Sequence, residues 1–269
     1  EEIPDFSSRQ DEIGNLSVAL RDMTNSLYAR IDAIESFAAD VSHELKNPLT
    51  SLRSAVETLP LAKNDDMRKR LTDVIEHDVR RLDRLISDIS DASRLDAELV
   101  REDASTVDLS RLLSELVGIL DQSVAAGNAK LKLHVGKLPA GAKGFHVNGH
   151  ELRIGQVITN LVQNAFSFIP KKNGRVDVHL SMTPTHVVVA VEDNGPGIRA
   201  ENIENIFNRF YTDRPEGEAF GQNSGLGLSI SRQIIEAHGG TLKAENMIDG
   251  KTGEVLGARF IVKLPAERI

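Results

Sequence analysis

Two long stretches near the start of this sequence carry apolar residues at alternating steps of three and four. A single apolar stripe of this spacing is typical of helices that pack along a narrow seam. In the first stretch the stripe is formed by Ile13, Leu16, Leu20, Met23 and Leu27 and, further along, by Leu45, Leu49, Leu52, Val56 and Leu59. The spacing therefore predicts a long amphipathic helix that needs a partner for its apolar side.

A second helix is predicted over residues 67–96, with many Arg and Asp residues opposite its apolar side. That side is formed by Leu71, Ile75, Leu82, Leu85, Ile86 and Ile89. The segment between the helices, residues 60–66, has the composition of a short turn. Two helices joined in this way form an antiparallel hairpin, and one hairpin alone cannot fully bury both seams. We therefore expect a homodimer in which two hairpins form a four-helix bundle.

The first helix carries a histidine, His43, which is followed by Glu44, Asn47 and Pro48. His43 and Asn47 are four residues apart, so they share one side of the helix. Pro48 has no N–H for the carbonyl of Glu44 and crowds it, so the helix should kink or loosen there. A lone helical histidine is usually a solvated side chain, so only the rest of the chain can decide whether His43 is catalytic.

Composition excludes several kinds of function. The net charge of −8 argues against non-specific nucleic-acid binding as the main activity. The chain has no cysteine, so it forms no disulfide, thiolate nucleophile or Cys-ligated metal site. No apolar run approaches the ~20 residues of a membrane helix, and no signal peptide opens the chain, so we expect it to be soluble as given.

From Thr106 onward the pattern changes to a mixture of helical and alternating segments. Asp108 is a suitable N-cap for the first of these helices. Helices are predicted at residues 109–120, 151–168, 200–207 and 226–238, and strands at 131–135, 176–180, 187–191, 241–244 and 258–264. Residues 208–224 are rich in Gly, Pro and charge and are expected to form a mobile loop. This order predicts an α+β sandwich of about 160 residues, a usual size for one domain.

A pair of asparagines, Asn160 and Asn164, is predicted to lie one turn apart on a helix. Amide oxygens are modest ligands for a hard cation that keeps water and phosphate oxygens around it. Asparagines in helices also form local hydrogen bonds, so this pair alone is a weak indication of a metal site.

Glycines follow a carboxylate at one place and precede a helix at another. Asp193 ends an apolar strand, and Gly195 and Gly197 after it allow a ligand to approach the backbone. An ordinary turn fits that pattern equally well. Gly225 and Gly227 lead into a helix whose first N–H groups favour phosphate. The three clusters in this order indicate a nucleotide site far more strongly than any one of them.

Together these motifs resemble those of bacterial sensor histidine kinases, in which a HisKA domain precedes a GHKL (Bergerat-fold) ATP-binding domain. SHELKNPL resembles the H box, NLVQNA the N box, DNGPG the first glycine box, IFNRFY the F box and SGLGLSI the second glycine box; IIEAHGG and ARFIVKLP also fit. Residues 3–30, with DEIGNL, resemble the last helix of a HAMP domain. Over its length the chain also resembles the ChvG/BvrS family of envelope-stress kinases of alphaproteobacteria.

The resemblance implies a multidomain fold: an all-α antiparallel helical hairpin that forms a dimeric four-helix bundle, followed by an α+β two-layer sandwich. It implies a partial HAMP-like helix at residues 1–30, a dimerisation and histidine phosphotransfer domain at 31–100, and a catalytic ATP-binding domain at 105–269. The implied partners are a second copy and the receiver domain of a response regulator, and no nucleic acid. The implied location is the cytoplasmic portion of an inner-membrane protein, anchored only through an N-terminal region absent from this chain.

The resemblance also implies roles for the residues of the helical part. His43 is the implied phosphoacceptor, which attacks the γ-phosphorus of ATP. Glu44 is expected to orient the imidazole and take its proton. Asn47 is expected to position water, or assist the kinase step, when the enzyme dephosphorylates its partner.

For the second part the resemblance implies ATP and Mg²⁺ as cofactors. Asn164 is the implied Mg²⁺ ligand, and Asp193 is expected to accept a hydrogen bond from the adenine amino group. The residues implied in nucleotide binding are Asn160, Asn164, Asp193, Gly195, Gly197, Arg209, Arg214, Ser224, Gly225 and Gly227. Among these, Gly195 and Gly197 are expected to admit the purine, and Gly225 and Gly227 to hinge a lid and offer N–H groups to phosphate.

The chain departs from the histidine kinase pattern near the expected phosphates. Ser167 and Phe168 stand where many members carry Lys-Tyr near the phosphates. Arg209 or Arg214 in the lid could supply the missing positive charge, although both are equally well explained as surface arginines. Asn160 stands where related ATPases carry a catalytic glutamate, and an amide activates water poorly, which favours transfer to histidine.

Three alternatives to a kinase with balanced activities remain at this point. A GHKL ATPase machine, like the gyrase or chaperone relatives, predicts steady hydrolysis and a base at position 160. A catalytically silent dimeric scaffold predicts nucleotide binding without labelling of His43. A phosphatase-dominant kinase predicts that Asn47→Ala raises the phosphorylated partner.

Overall fold

The computed structural model describes residues 11–101, 104–124, 129–170, 172–211 and 225–267. The chain divides into two compact units, Glu1–Val79 and Arg80–Ile269. Of the helices within these described ranges, none is long and apolar enough to cross a lipid bilayer.

The two predicted long helices are present. Helix α1 covers Glu12–Thr58, a 3-10 turn follows at Leu59–Leu61, and helix α2 covers Asp65–Arg101. Helix α1 begins where the side chain of Asp11 accepts a hydrogen bond from the Gly14 N–H (3.1 Å). Helix α2 begins two residues before the predicted start and ends five residues after the predicted end. Its first turn is capped, because Asn64 Oδ1 accepts a hydrogen bond from the Met67 N–H (2.8 Å).

Most of the predicted seam of α1 is exposed to solvent in the single chain. Its first members are 41–61% exposed: Ile13, Leu16, Leu20, Met23 and Leu27. Leu49 and Val56 further along α1, and Ile86 on α2, are also more than half exposed. An apolar surface of this extent on two long helices is typical of a surface that a partner covers.

The rest of the described chain forms a five-stranded sheet covered by helices on one face. Its elements are β1 (Ser105–Asp108), α3 (Leu109–Val124), β2 (Lys130–Val135), β3 (His146–Gly149), α4 (Glu151–Phe168), β4 (Arg175–Met182), β5 (His186–Asp193), α5 (Gly227–Ala237), β6 (Thr241–Ile248) and β7 (Val255–Pro265). The main sheet has the order β2-β4-β5-β7-β6, and β2–β4 is its parallel pair. The predicted two-layer α+β sandwich is confirmed.

Alternation along the strands separates the two faces of the sheet. On β5, Val187, Val189 and Val191 are buried against the helical layer, and Asp193 is the last residue of the same face. The other face carries ion pairs that cross the strands. Arg259 on β7 bonds Glu192 on β5 (2.7 Å) and Glu245 on β6 (2.9 Å).

Three local predictions need correction or completion. The strands β1 and β3 were not predicted, because each has only four residues; they pair with each other in a separate antiparallel sheet. Residues 200–207 form two 3-10 turns, Ala200–Asn202 and Asn205–Phe207, in place of the predicted single helix. The side chain of Asn205 donates to the Glu201 carbonyl (3.2 Å), which competes with a regular helix. Most of the predicted loop 208–224 lies outside the described residues.

Candidate functional site

His43 lies on the exposed side of α1, where its imidazole makes no hydrogen bond or ion pair with another described residue. Glu44 beside it is half-buried, and Asn47 is exposed one turn further along. Pro48 is buried inside the continuous helix and provides no N–H for the Glu44 carbonyl. The arrangement presents an imidazole to solvent with a carboxylate at the next position, which suits a nucleophile with an adjacent base.

The asparagine pair lies on α4, on the side that faces the start of α5. Asn160 Nδ2 is 3.5 Å from the Gly227 carbonyl oxygen and 3.5 Å from Oγ of the buried Ser231. The structure therefore brings Asn160 and Gly227 together, as the nucleotide hypothesis requires. Asn164 follows one turn later and is half-buried.

The carboxylate of Asp193 is almost fully buried at the end of β5. The residue is only 4% exposed, and its Oδ1 accepts hydrogen bonds from the Gly195 N–H (2.8 Å) and the Ala258 N–H (3.3 Å). Burial raises the pKa of the Asp193 carboxyl above its ordinary value, and the two N–H bonds oppose that rise. Both bonds from described residues end on Oδ1, so Oδ2 is the acceptor that remains for a ligand.

The glycines after Asp193 are required by the protein's own packing. A Cβ on Gly195 would lie 2.8 Å from the Phe168 carbonyl oxygen. Gly197 has φ of +78°, and a Cβ there would lie 2.8 Å from Asn246 Oδ1. Side chains at these two positions would therefore displace the loop. Their predicted role in admitting a purine stays a prediction.

The second pair of glycines surrounds the start of α5. Gly225 has φ of +75°, and its carbonyl accepts a hydrogen bond from the Phe210 N–H (2.9 Å). Gly227 is the first residue of α5, and among the described residues no side chain caps that helix. The first N–H groups of an uncapped helix are donors for an anion, and they carry the positive end of the helix dipole.

The lid residues are only partly described. Arg209 lies just before Phe210 and is engaged in an interaction of its own. Arg214 and Ser224 lie outside the described residues. The choice of the cation that replaces the usual lysine therefore stays a prediction.

The residues present fit a purine nucleotide. The second unit supplies a buried carboxylate that accepts a hydrogen bond, together with an uncapped helix start for phosphate. The described residues hold no cluster of three or more His, Asp or Glu that would bind a metal by itself. A cation here would rely on one amide, that of Asn164, together with phosphate oxygens and water, which suits the coordination that Mg²⁺ prefers.

Sequence reasoning missed the residues of β6 and β7 that complete the surroundings of Asp193. Asn246 bonds the backbone of Ile198 with both ends of its amide (2.7 and 2.6 Å). Gly257 has φ of +151°, and a Cβ there would lie 1.8 Å from the Asp193 carbonyl oxygen. Only Gly257, a glycine within the last strand, was visible in the sequence as a possible signal.

Comparison with known protein families gives a match for each part of the chain. Residues 33–98 match the HisKA family, the His Kinase A (phospho-acceptor) domain. Residues 149–268 match the HATPase_c family, described as histidine kinase-, DNA gyrase B- and HSP90-like ATPase. The matched ranges contain the His43 stretch and the Asp193 site respectively.

Two curated relatives align with almost the whole chain. Sensor protein ChvG of Rhizobium meliloti is 69% identical over 269 residues, which is 99% of this chain and 46% of the relative. Sensor protein ChvG of Agrobacterium fabrum is 66% identical over 267 residues, which is 99% of this chain and 45% of the relative. The chain thus spans about half the length of these relatives, and the predicted resemblance to this group is confirmed.

Solved structures give the same result. The catalytic domain of histidine kinase ThkA, in a nucleotide-free form, superposes with a TM-score of 0.50 at 30% identity, covering 61% of this chain and 97% of that one. The complex of histidine kinase ThkA with response regulator protein TrrA gives a TM-score of 0.67 at 25% identity, covering 90% of this chain and 64% of that one.

Proposed function

Because this chain belongs to the histidine kinase family, we propose that it phosphorylates His43 from ATP and passes the phosphoryl group to an aspartate of a response regulator. The observation that carries the proposal is the exposed imidazole of His43, with Glu44 at the next position. A nucleophile for phosphoryl transfer must be open to an approaching substrate, and this one has no partner among the described residues.

At His43 a ring nitrogen attacks the γ-phosphorus of ATP, an N–P bond forms, and the bond to the β-phosphate oxygen breaks to release ADP. Glu44 accepts the imidazole proton as a general base. In the second transfer the N–P bond breaks and the phosphoryl group moves to an aspartate oxygen of the regulator. The ThkA–TrrA complex, a histidine kinase with a response regulator protein, supports the class of partner.

In the ATP-binding part, the chain's own residues bind and orient the nucleotide. Asp193 accepts a hydrogen bond from the adenine amino group, and the N–H groups at the start of α5 bind phosphate. Asn164 holds Mg²⁺, which when bound neutralises charge on the phosphates. Either Arg209 or Arg214 supplies the further positive charge. Asn160 does not activate water for hydrolysis of ATP, because its amide is a poor base.

Asn47 suggests a second activity on the same partner. It is exposed on the face of α1 that carries His43. An amide there can position a water for attack on the phosphorylated regulator. We therefore include dephosphorylation of the regulator in the proposal, with Asn47 as the residue responsible.

The assembly is proposed on separate grounds. The exposed seam of α1 supports a homodimer through a four-helix bundle. The domain limits of 31–100 and 105–269, the HAMP-like helix at residues 1–30, and a location as the cytoplasmic portion of an inner-membrane protein are part of the same proposal. The HisKA match at residues 33–98 and the HATPase_c match at residues 149–268 support the two domain limits.

Labelled γ-phosphate tests the central claim. We expect the protein with ATP and Mg²⁺ to gain acid-labile label that is stable in base, and we expect His43→Ala to gain none. Transfer is followed by adding a response regulator and observing label on the regulator. A folded, nucleotide-bound protein that takes up no label contradicts the kinase proposal; steady release of free phosphate instead supports an ATPase.

A further inference from the structure

The loop after Asp193 is held at its far end by a side chain from β6. Asn246 Oδ1 accepts a hydrogen bond from the Ile198 N–H (2.7 Å), and Asn246 Nδ2 donates to the Ile198 carbonyl (2.6 Å). The side-chain amide of Asn246 thus bonds both the N–H and the carbonyl of Ile198, as the backbone of a neighbouring strand would. A carboxylate lacks the donor and a hydroxyl is too short to bridge both groups, so an amide is the side chain that this arrangement requires.

The near end of the same loop is held by a second amide. Asn194 Oδ1 accepts a hydrogen bond from the Arg175 N–H (2.7 Å), and its Nδ2 donates to the Asn173 carbonyl (2.9 Å). Residues 194–198 are therefore attached at one end to the start of β4 and at the other end to β6. Gly195 and Gly197, where the purine is expected, lie between these two attachments.

Asn246 is also connected to the Asp193 carboxylate through the sheet. Asn246 on β6 stands opposite Ala258 on β7, and the Ala258 N–H donates to Asp193 Oδ1. The paired residues Asn246 and Ala258 thus provide both the attachment of the loop and an N–H donor to the Asp193 carboxylate. Gly197 packs directly on Asn246, because a Cβ at Gly197 would lie 2.8 Å from Asn246 Oδ1.

We propose that Asn246 is a positioning residue for nucleotide binding, which fixes residues 194–198 in the shape that receives the purine beside Asp193. The inference rests on the proposed ATP site and adds to it a residue outside every motif of the sequence. Without the amide the loop samples other shapes, and apparent affinity falls by the fraction of chains that keep the competent one. Once nucleotide is bound the loop is in place, so the chemical step is unaffected.

The test compares Asn246→Ala and Asn246→Asp with wild type in the full 269-residue chain. ADP affinity is measured by calorimetry. KM for ATP and kcat are taken from the dependence of the rate of His43 labelling on ATP concentration. We expect the Kd for ADP and the KM for ATP to rise about tenfold in Asn246→Ala, with kcat within about twofold of wild type. Asn246→Asp keeps the size and the acceptor but places a charged oxygen against the Ile198 carbonyl, so we expect at least the same loss.

Lys243→Ala is the matched control, because Lys243 is exposed on the same strand. It should leave Kd, KM and kcat unchanged. Hydrogen exchange at the Ile198 amide should accelerate in both Asn246 variants and not in the control. If Asn246→Ala fails to fold, the near-isosteric Asn246→Asp gives the same comparison.

Two results overturn the inference. One is an ADP affinity in the folded Asn246 variants within twofold of wild type. The other is a parallel fall in kcat with a large drop in Tm, which assigns Asn246 a general structural role. Failure of the proposed function is distinguishable from both, because then wild type itself binds no ADP, or binds it and labels no histidine.

Discussion

The backbone N–H of His150, just before α4, donates to Nε2 of His238 at the end of α5 (3.0 Å). The other ring nitrogen of His238, Nδ1, donates to the Ile234 carbonyl (2.7 Å). These two bonds require a neutral imidazole with its proton on Nδ1, because a protonated ring has no acceptor. The link joins the start of the helix that carries Asn160 to the end of the helix that begins at Gly227.

His238 makes the stability of this region depend on pH. Burial lowers the pKa of His238 below its ordinary value, and the nearby His150 lowers it further. The unfolded chain therefore takes up a proton at higher pH than the folded one. The contribution of His238 is complete above its unfolded pKa of about 6.5 and is lost as pH falls from there towards the folded pKa.

We expect the free energy of unfolding to fall between pH 7.5 and pH 5.5, and His238→Gln to reduce that pH dependence. The variant should also lose about 1 kcal/mol at pH 7.5, the usual cost of one hydrogen bond. Urea unfolding at several pH values measures both effects. His186→Gln is the control, since His186 lies at the start of β5, where its ring bonds the Thr185 hydroxyl. An unchanged pH profile in His238→Gln contradicts the prediction.

Asp193→Asn should separate stability from binding. The buried carboxyl has a raised pKa, so the folded state keeps its proton to higher pH than the unfolded state does. Its stabilising effect is present at acid pH and is lost as pH rises through the folded pKa, because burial penalises the ionised form. An asparagine keeps an oxygen for both N–H donors and removes that charge.

We expect Asp193→Asn without nucleotide to have a Tm at pH 7 equal to or above that of wild type, an advantage that shrinks towards pH 4. ADP affinity should fall about 10- to 100-fold, as expected for a lost charge-assisted hydrogen bond. Thermal unfolding and calorimetry measure the two quantities. A marked loss of stability together with retained affinity contradicts the assignment.

Asn160→Glu should convert part of the transfer reaction into hydrolysis. A carboxylate can activate water as an amide cannot, and a general base contributes about 10²–10⁴-fold when well placed. We expect increased phosphate release from His43→Ala/Asn160→Glu relative to His43→Ala alone, in a background without an acceptor. Asn160→Gln is the matched control and should release no more than the background. Equal release from both asparagine variants would refute a role for the amide in suppressing hydrolysis.

Pro48→Ala tests the weak point near the phosphoacceptor. An interior proline costs a helix about 3 kcal/mol, so its removal should stabilise α1. The cavity left by the buried ring should offset a smaller part of that gain. We expect a higher Tm and a severalfold change in the rates of His43 labelling and of regulator dephosphorylation. Lys46→Ala, exposed on the same turn, is the control. Unchanged rates contradict a hinge at this position.

Segments with a long regular pattern were predicted well from the sequence. The predicted limits of α4, residues 151–168, agree with the structure, because its apolar period is regular and Pro170 follows closely. The buried alternation of β5 was equally readable. The four-residue strands β1 and β3 were missed, since so few residues give no detectable period.

The surroundings of the site were harder to predict than its motifs. Asn246 acts on Ile198, which is 48 residues away in the chain, and nothing beside Asn246 in the sequence marks that contact. The sequence pattern singled out the glycines near Asp193 as positions that let a ligand approach, and that role stays a prediction. The reason for glycine found in the structure is contact with Phe168 and Asn246, which depends on strand pairing that the sequence pattern does not fix.

The placement of β7 has a consequence for synthesis of the protein. It follows β6 in the chain but inserts between β5 and β6, so β5 lacks a neighbour on that side until residues 255–265 have left the ribosome. Ala258, which donates to the Asp193 carboxylate, arrives with that strand. A nascent chain that stops at β6 therefore contains the N box, the F box and both glycine boxes but lacks the Ala258 donor, so the surroundings of Asp193 are complete only after translation of β7.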